Sequence, residues 1–197
     1  MKTSGLRKAA SYQSAIRGAT LFSAIARVYF LCIFGQVSPV TNAAIIDPLP
    51  SGAPHPYTAL LEALPRVTDS ALVETIELPA ITAAWRHAVA NESRELAALD
   101  NAIASNPAFA PETIASTELG AGFLKSLLPL RDERVLKRHA AAVENDDAPG
   151  SHLVVFGLML AVFSIPPRQA LLDYAQARLP EPTGIPAIIS HLLDKAA

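Results

Sequence analysis

Histidine is the residue type in this chain best suited to bind a metal or transfer a proton, because imidazole titrates near neutral pH and coordinates metals. No two histidines form an HxH, HExxH or His-x3-His pair, which would place two imidazoles on one helix face. The lone Cys32 can form neither an internal disulfide nor a CxxC zinc site. We therefore predict no metal site within one chain. The five histidines are His55, His87, His139, His152 and His191.

Motifs of other common reaction centres are also missing from the sequence. It contains no GxxxxGK[ST] phosphate loop, no GxSxG nucleophile element and no strand-borne GxGxxG. Two pairs of adjacent acids, Asp132 with Glu133 and Asp146 with Asp147, could act as general acid and base only if they lined a cleft. Their positions fit a helix start and a solvated loop instead. We predict no catalytic residue and a protein that is not an enzyme.

The elements that carry these side chains are predicted to be helices. Alanine and leucine, both strong helix formers, dominate the sequence after residue 56, and strict apolar–polar alternation is hard to find. Residues 152–163, HLVVFGLMLAVF, are apolar nearly all round, which is typical of a buried helix. The pattern predicts an all-α, single-domain helical bundle of about seven to nine helices with a central apolar helix, spanning residues 57–197.

Capping residues and prolines predict where several helices begin or bend. Asp69 or Ser70 can cap one helix, and Asn91 and Ser151 can each cap a later one by accepting hydrogen bonds from free backbone amides. Pro79 is expected to interrupt or kink the helix that it enters, because proline lacks a backbone N–H group.

Several single residues have a predicted packing role. Gly120 and Gly122 leave room for a close neighbour, and Gly157 is expected to be packed so tightly that a bulky replacement would be destabilising. Trp85 lies at helical spacing among apolar residues and is predicted to pack in the core or in a groove. His152 heads the most apolar helix, where we expect it to cap or to hydrogen-bond across a helix junction rather than to bind a metal.

Residues 1–46 differ in charge from the rest of the chain. They contain five Lys and Arg and no Asp or Glu, a net charge of +5, whereas the remaining residues contain 11 basic and 18 acidic side chains, a net charge of −7. No basic face extends beyond this segment, so nucleic acid is not a predicted partner. Residues 47–56 are rich in proline and are predicted to be a linker.

Three interpretations of the apolar residues 21–37 remain open. They could be a short membrane-spanning helix, although Arg27 near the middle makes insertion costly. They could belong to a cleaved signal or transit peptide. They could also be an apolar helix packed on the body or on a partner, or a poorly ordered tail.

Residues 151–179, SHLVVFGLMLAVFSIPPRQALLDYAQARL, resemble the central motif of the UreF family of urease accessory proteins. That motif places a histidine shortly before an apolar element that ends in Phe-Gly, then an alanine- and leucine-rich helix, a short break and a helix with an A-L-L-x-Y pattern. His152, Phe156, Gly157 and Tyr174 fall on these positions. The matching positions upstream are Leu99, Asp100, Glu112, Ser116, Gly120 and Leu124.

The resemblance implies a non-catalytic helical scaffold that helps to insert nickel into apo-urease in the cytoplasm. The implied partners are a urease-docking accessory protein, a nickel-carrying GTPase that the scaffold recruits and regulates, and apo-urease itself. It further implies a homodimer that binds no cofactor directly, with nickel handled by the assembled complex. The partner-binding residues are not assigned, because the C-terminal sequence lacks the family's usual arginine-bearing helix and Leu-Gly-Gln tail.

Two other functions compete with this one. The first is a generic helical protein-interaction module tethered to a membrane by the N-terminal segment. The second is an all-α enzyme of unrecognised type, which would require several polar side chains to converge in one deep pocket.

Overall fold

The computed structural model describes residues 55–182 and 184–194, and every regular element in these ranges is a helix. The predictions for residues 1–46 and for residues 47–54 of the linker lie outside the described residues. The prediction of an all-α bundle is confirmed. The eight main helices in the described ranges are α1 (Pro56–Ala63), α2 (Leu78–Val89), α3 (Ser93–Ala104), α4 (Thr113–Leu127), α5 (Arg134–Glu144), α6 (His152–Val162), α7 (Pro167–Arg178) and α8 (Ile185–Asp194).

Helix α6 lies at the centre of the bundle, as its composition predicts. Every residue from position 152 to position 160 is buried, and the helix packs most extensively against α2 and then against α4. Because neighbours cover α6 on all sides, no face of it needs to be polar. Its apolar sequence is therefore the consequence of its central position.

Gly157 allows α6 and α2 to approach until their backbones touch. A Cβ atom at this position would lie 2.6 Å from the Cβ of Ala84 and 2.7 Å from the carbonyl oxygen of Ile81. Carbon and oxygen atoms that are not bonded do not approach this closely, so only glycine fits here without movement of the helices.

The chain enters α2 through a continuous helical lead-in. Asp69 caps Ser70–Leu72 by accepting a hydrogen bond of 2.9 Å, and Val73–Glu77 then form one π-helical turn. Pro79 follows this turn directly, and the helix continues past it. A wider turn removes one backbone hydrogen bond, so a residue without an N–H group is accommodated. The same turn places Glu77 in the interior.

Two of the predicted caps differ from the structure. Asn91 does not begin α3; it follows the end of α2 with φ of 60°, a left-handed conformation that asparagine adopts more readily than most residues. Glu92 occupies the N-cap position of α3, but its side chain makes no capping hydrogen bond and instead contacts His87 Nδ1 at 2.8 Å. Ser151 does precede α6, but its side chain makes no capping bond.

Within residues 55–182 and 184–194, no helix combines the length and apolarity needed to cross a membrane. Helix α6, the most apolar, has only 11 residues, against about 20 for a spanning helix.

Candidate functional site

Five polar side chains form one continuous buried group at the N-terminal end of α6, which we call the polar cluster. His152 is the first residue of α6, and its ring lies between a serine of α4 and a tyrosine of α7. The ring Nδ1 is 2.7 Å from Ser116 Oγ, and the ring Nε2 is 2.9 Å from the Tyr174 hydroxyl oxygen. The cluster consists of Glu77, Ser116, His152, Tyr174 and Arg178.

The hydrogen bonds of the polar cluster fix its protons. Tyr174 donates its hydroxyl proton to Glu77 Oε2 over 2.9 Å, so its oxygen is left to accept from the Nε2–H group of His152. The Nδ1 atom of His152 then accepts from the Ser116 hydroxyl, whose oxygen also accepts the His152 backbone N–H at 3.3 Å. The imidazole is therefore neutral and has no vacant hydrogen-bonding position.

Electrostatics favour the same neutral form of the imidazole. Burial, with a further contribution from the Arg178 guanidinium, lowers the pKa of His152 from 6.5 to about 3. Burial and the nearby Glu77 carboxylate raise the pKa of the Tyr174 phenol well above its usual value. Both groups therefore remain uncharged throughout the physiological pH range.

A buried ion pair closes the other end of the polar cluster. Arg178, in the last turn of α7, binds Glu77 through two bonds, Nη2 to Oε1 at 2.6 Å and Nε to Oε2 at 3.1 Å. Its Nη1 donates to the carbonyl oxygen of Pro65, and Glu112 Oε2 lies 3.6 Å from Nη2. Burial is the largest single effect and lowers the pKa of Arg178, but the hydrogen bond to Glu77 and the charges of Tyr174, Glu77 and Glu112 together outweigh it, so that pKa is raised. Both charges are thus compensated.

Asp100 of α3 holds the chain where it enters α6. Its carboxylate accepts the backbone N–H of Gly150 at 2.8 Å and that of Ser151 at 3.0 Å. These two bonds fix the backbone that leads into α6 rather than cap its first turn, and a carboxylate also suits the positive end of a helix. The buried His139 lies 3.5 Å from the same carboxylate, and burial lowers its pKa despite the opposing effect of Asp100.

Gly120 is the second position where a side chain would not fit. A Cβ atom there would collide with the carbonyl oxygen of Gly150 and lie 2.6 Å from the backbone nitrogen of His152. Helix α4 thus touches the backbone at the start of α6, which brings Ser116 within reach of the imidazole. Gly122, in contrast, faces open space, so only one of the two predicted close contacts is present.

The remaining predicted site residue, Phe156, packs between two aromatic rings. Its ring is stacked on Tyr57 at a centroid distance of 5.8 Å and is tilted against Tyr174 at 5.2 Å. The structure therefore places His152, Phe156 and Tyr174 in one interior group, and Gly157 directly follows Phe156 in α6. Sequence reasoning assigned no role to Glu77 or Arg178, although a charged residue inside an otherwise apolar stretch is a signal of a buried pair.

The polar cluster has the composition of a nucleophile and base but not the access that catalysis requires. Ser116 is 3% exposed, His152 is 2% exposed and Tyr174 is fully buried. General acid–base catalysis needs these groups within reach of a substrate. In the described part of the chain, no group of three or more His, Cys, Asp or Glu is arranged to hold a metal ion. The cluster joins helices α2, α4, α6 and α7 to one another.

Residues 55–182 and 184–194 thus define an all-helical domain whose interior polar groups hold its central helix in place. The family model for UreF matches residues 70–182, more than half of the chain, and these residues include every member of the polar cluster. The chain therefore belongs to the UreF family of urease accessory proteins, and the predicted resemblance is confirmed. Comparisons with curated proteins and with solved structures found no match.

Proposed function

We propose that this protein is a non-catalytic scaffold in urease maturation, which assists the insertion of nickel into apo-urease. The observation that carries the proposal is the family match over residues 70–182. The polar cluster supports it, because the groups best suited to chemistry are satisfied by one another and enclosed in the bundle. A domain built in this way acts through its surface.

The partners that follow from this role are a urease-docking accessory protein, a nickel-carrying GTPase and apo-urease. The scaffold recruits the GTPase and regulates it, and two copies of the scaffold form a homodimer in the cytoplasm. Nickel is the cargo of the assembled complex, and the isolated chain binds no cofactor directly.

Affinity capture with purified proteins tests this function. The full-length chain is immobilised and offered the urease-docking accessory protein and the nickel GTPase from the same organism, separately and together. We expect the docking protein to be retained and the GTPase to join it. If neither protein is retained by a chain whose circular dichroism spectrum is helical, the proposal is wrong.

A further inference from the structure

A groove opens at the C-terminal end of α6, opposite the polar cluster. Its volume is about 610 Å³, and its walls are the ends of α2 and α6, the start of α5 and the turn that leads into α7. Asn91 and Ser164, which end α2 and α6 in left-handed conformations with φ of 60° and 54°, both line it. Both helices therefore stop at this surface and leave the space between them open.

The floor of the groove is apolar and partly exposed. Trp85 lines the groove and is half-buried, and the partly exposed Val162 and Ile165 contribute aliphatic surface above the fully buried Leu160. Val89 is 63% exposed at its edge, and it is one of two large hydrophobic side chains that are strongly exposed in the described ranges. A tryptophan beside exposed aliphatic side chains is typical of the residues that contribute most to protein–protein binding.

Basic side chains continue the groove along α5. Arg134 lines both the groove and an adjoining cavity of about 380 Å³, which Lys137 and Arg138 also line. All three are exposed on α5, and two acids lie nearby: Glu133 in the groove and Asp132, which pairs with Lys137.

The described chain as a whole has the opposite charge. It contains 10 basic and 17 acidic side chains, a net charge of −7. The groups that line the two cavities comprise three basic and two acidic side chains, a net charge of +1. Because complementary charge guides association, this surface favours an acidic partner, whereas the rest of the domain repels one.

We propose that this surface, which we call the Trp85 groove, binds an acidic amphipathic segment of a partner protein. The apolar side chains of that segment lie on Trp85 and Val89, and its carboxylates pair with Arg134, Lys137 and Arg138. The proposal rests on the proposed function for the identity of the partner, namely a member of the urease-maturation complex. The chemistry of the surface alone determines the type of segment.

Trp85 supplies a direct reading of occupancy, because it is the only tryptophan of the 197 residues. The probe is a synthetic peptide of about 14 residues, or four helical turns, with leucine on one face and glutamate on the other. When the peptide is added to the full-length protein, we expect the fluorescence emission of Trp85 to shift to shorter wavelength and the shift to saturate with peptide concentration. Binding should be weaker at high salt, because salt screens the charge contacts. No shift, or an equal shift with a peptide in which lysine replaces glutamate, would overturn the proposal.

Matched variants separate the apolar contact from the charge contact. Val89→Asp is expected to abolish the shift, with Val89→Ser as a milder replacement if the first variant does not fold. Arg134→Glu should weaken binding of the glutamate peptide by about tenfold or more and strengthen binding of the lysine peptide. Lys125→Glu is the control, because Lys125 is exposed on α4 and lines neither cavity. Equal binding by Arg134→Glu and the control variant would contradict the assigned charge contact.

Partner capture with the same variants distinguishes this proposal from the proposed function. If wild type retains the maturation proteins and Val89→Asp loses one of them, both proposals are supported. If wild type and Val89→Asp both retain every partner, the proposed function stands and the groove proposal fails. If wild type retains none, the function fails, and the peptide titration alone decides whether the surface selects acidic segments.

A second copy of the chain is the other possible occupant of the groove. A Trp85 emission shift that increases with protein concentration in the absence of peptide, and that disappears in Val89→Asp, would identify that copy as the occupant and overturn the proposal.

Discussion

The two ends of α6 differ in how much of their surroundings is accessible from outside the domain. At the N-terminal end, four helices converge on a polar cluster in which every hydrogen bond of the imidazole is made. At the C-terminal end, α2 ends beside α6 and leaves Trp85 half-buried and Val89 exposed in an open groove. The contacts that hold the fold together lie at one end of the helix, and the surface that we propose binds a partner lies at the other. Substitutions at the first end should alter stability, and substitutions at the second should alter binding alone.

The largest expected loss of stability comes from breaking the buried ion pair. Arg178→Met leaves the Glu77 carboxylate in the interior without its counter-charge, which should cost about 3–5 kcal/mol in free energy of unfolding. Urea denaturation measures the change.

The double variant Glu77→Leu with Arg178→Met is the companion to that experiment, since it removes both charges and should recover much of the loss. Arg94→Met, at an exposed position of α3, provides the surface control and should change stability by less than about 0.5 kcal/mol. If Arg178→Met costs no more than this control, the ion pair does not contribute to the fold as described.

The next largest effect is expected at the contact between α6 and α2. Gly157→Leu should reduce the free energy of unfolding by about 1–3 kcal/mol, because the new side chain has to displace the backbone of α2. Thermal unfolding followed by circular dichroism measures it. Gly122→Ala is the matched control: its new methyl group meets open space within a helix, so it should be stabilising by about 0.5–1 kcal/mol. A fall in melting temperature for both variants would show that the two glycines are not distinguished by packing.

Acid should weaken the polar cluster through His152. Its pKa is 6.5 when the residue is exposed and about 3 in the folded protein, so between these values the unfolded chain binds the extra proton. Stability contributed by the neutral imidazole is therefore present above pH 6.5 and is lost as pH falls towards 3. The slope approaches about 1.4 kcal/mol per pH unit.

The variant His152→Ala tests the origin of that slope. It should lower stability by about 1–3 kcal/mol at pH 7, because Ser116 and Tyr174 lose a partner, and it should flatten the pH dependence. Denaturation midpoints at pH 7, 6 and 5 measure both effects. His139 and His55, whose pKa values are also lowered, should contribute to the slope that remains. An unchanged slope in the variant would mean that His152 is not the titrating group.

The smallest change in stability is expected at the open end of α6. Val89→Asp replaces an exposed side chain at the last position of α2, so the free energy of unfolding should fall by less than about 1 kcal/mol. Partner capture should nevertheless be lost. A large fall in melting temperature would show that this end, too, is part of the structural core.

Local sequence signals predicted the elements of the fold well. The unbroken apolar sequence of α6 indicates burial on all sides, and Asp69 caps the lead-in to α2 as its residue type suggests. The prediction for Asn91 was wrong because asparagine suits both a helix start and the left-handed residue that ends a helix, and one sequence position cannot distinguish these uses.

The polar cluster could be predicted only in part. The family pattern marks His152 and Tyr174, and an interior tyrosine or histidine requires a hydrogen-bond partner. The choice of Glu77 and Arg178 depends on the packing of helices that are 101 residues apart in the chain, which local spacing does not encode. The contact of Asp100 with the chain that enters α6 was not predicted for the same reason, since 50 residues separate Asp100 from Gly150.

If this chain assists nickel delivery to urease, as we propose, the nickel content of urease depends on its presence. Urease subunits and the other accessory proteins are co-expressed in cells that lack a UreF protein, with and without this chain, and purified urease is assayed for bound nickel and for activity. We predict nickel-loaded, active urease only when the chain is present. Equal nickel content with and without it, at equal expression of the other proteins, would show that the chain does not assist nickel insertion.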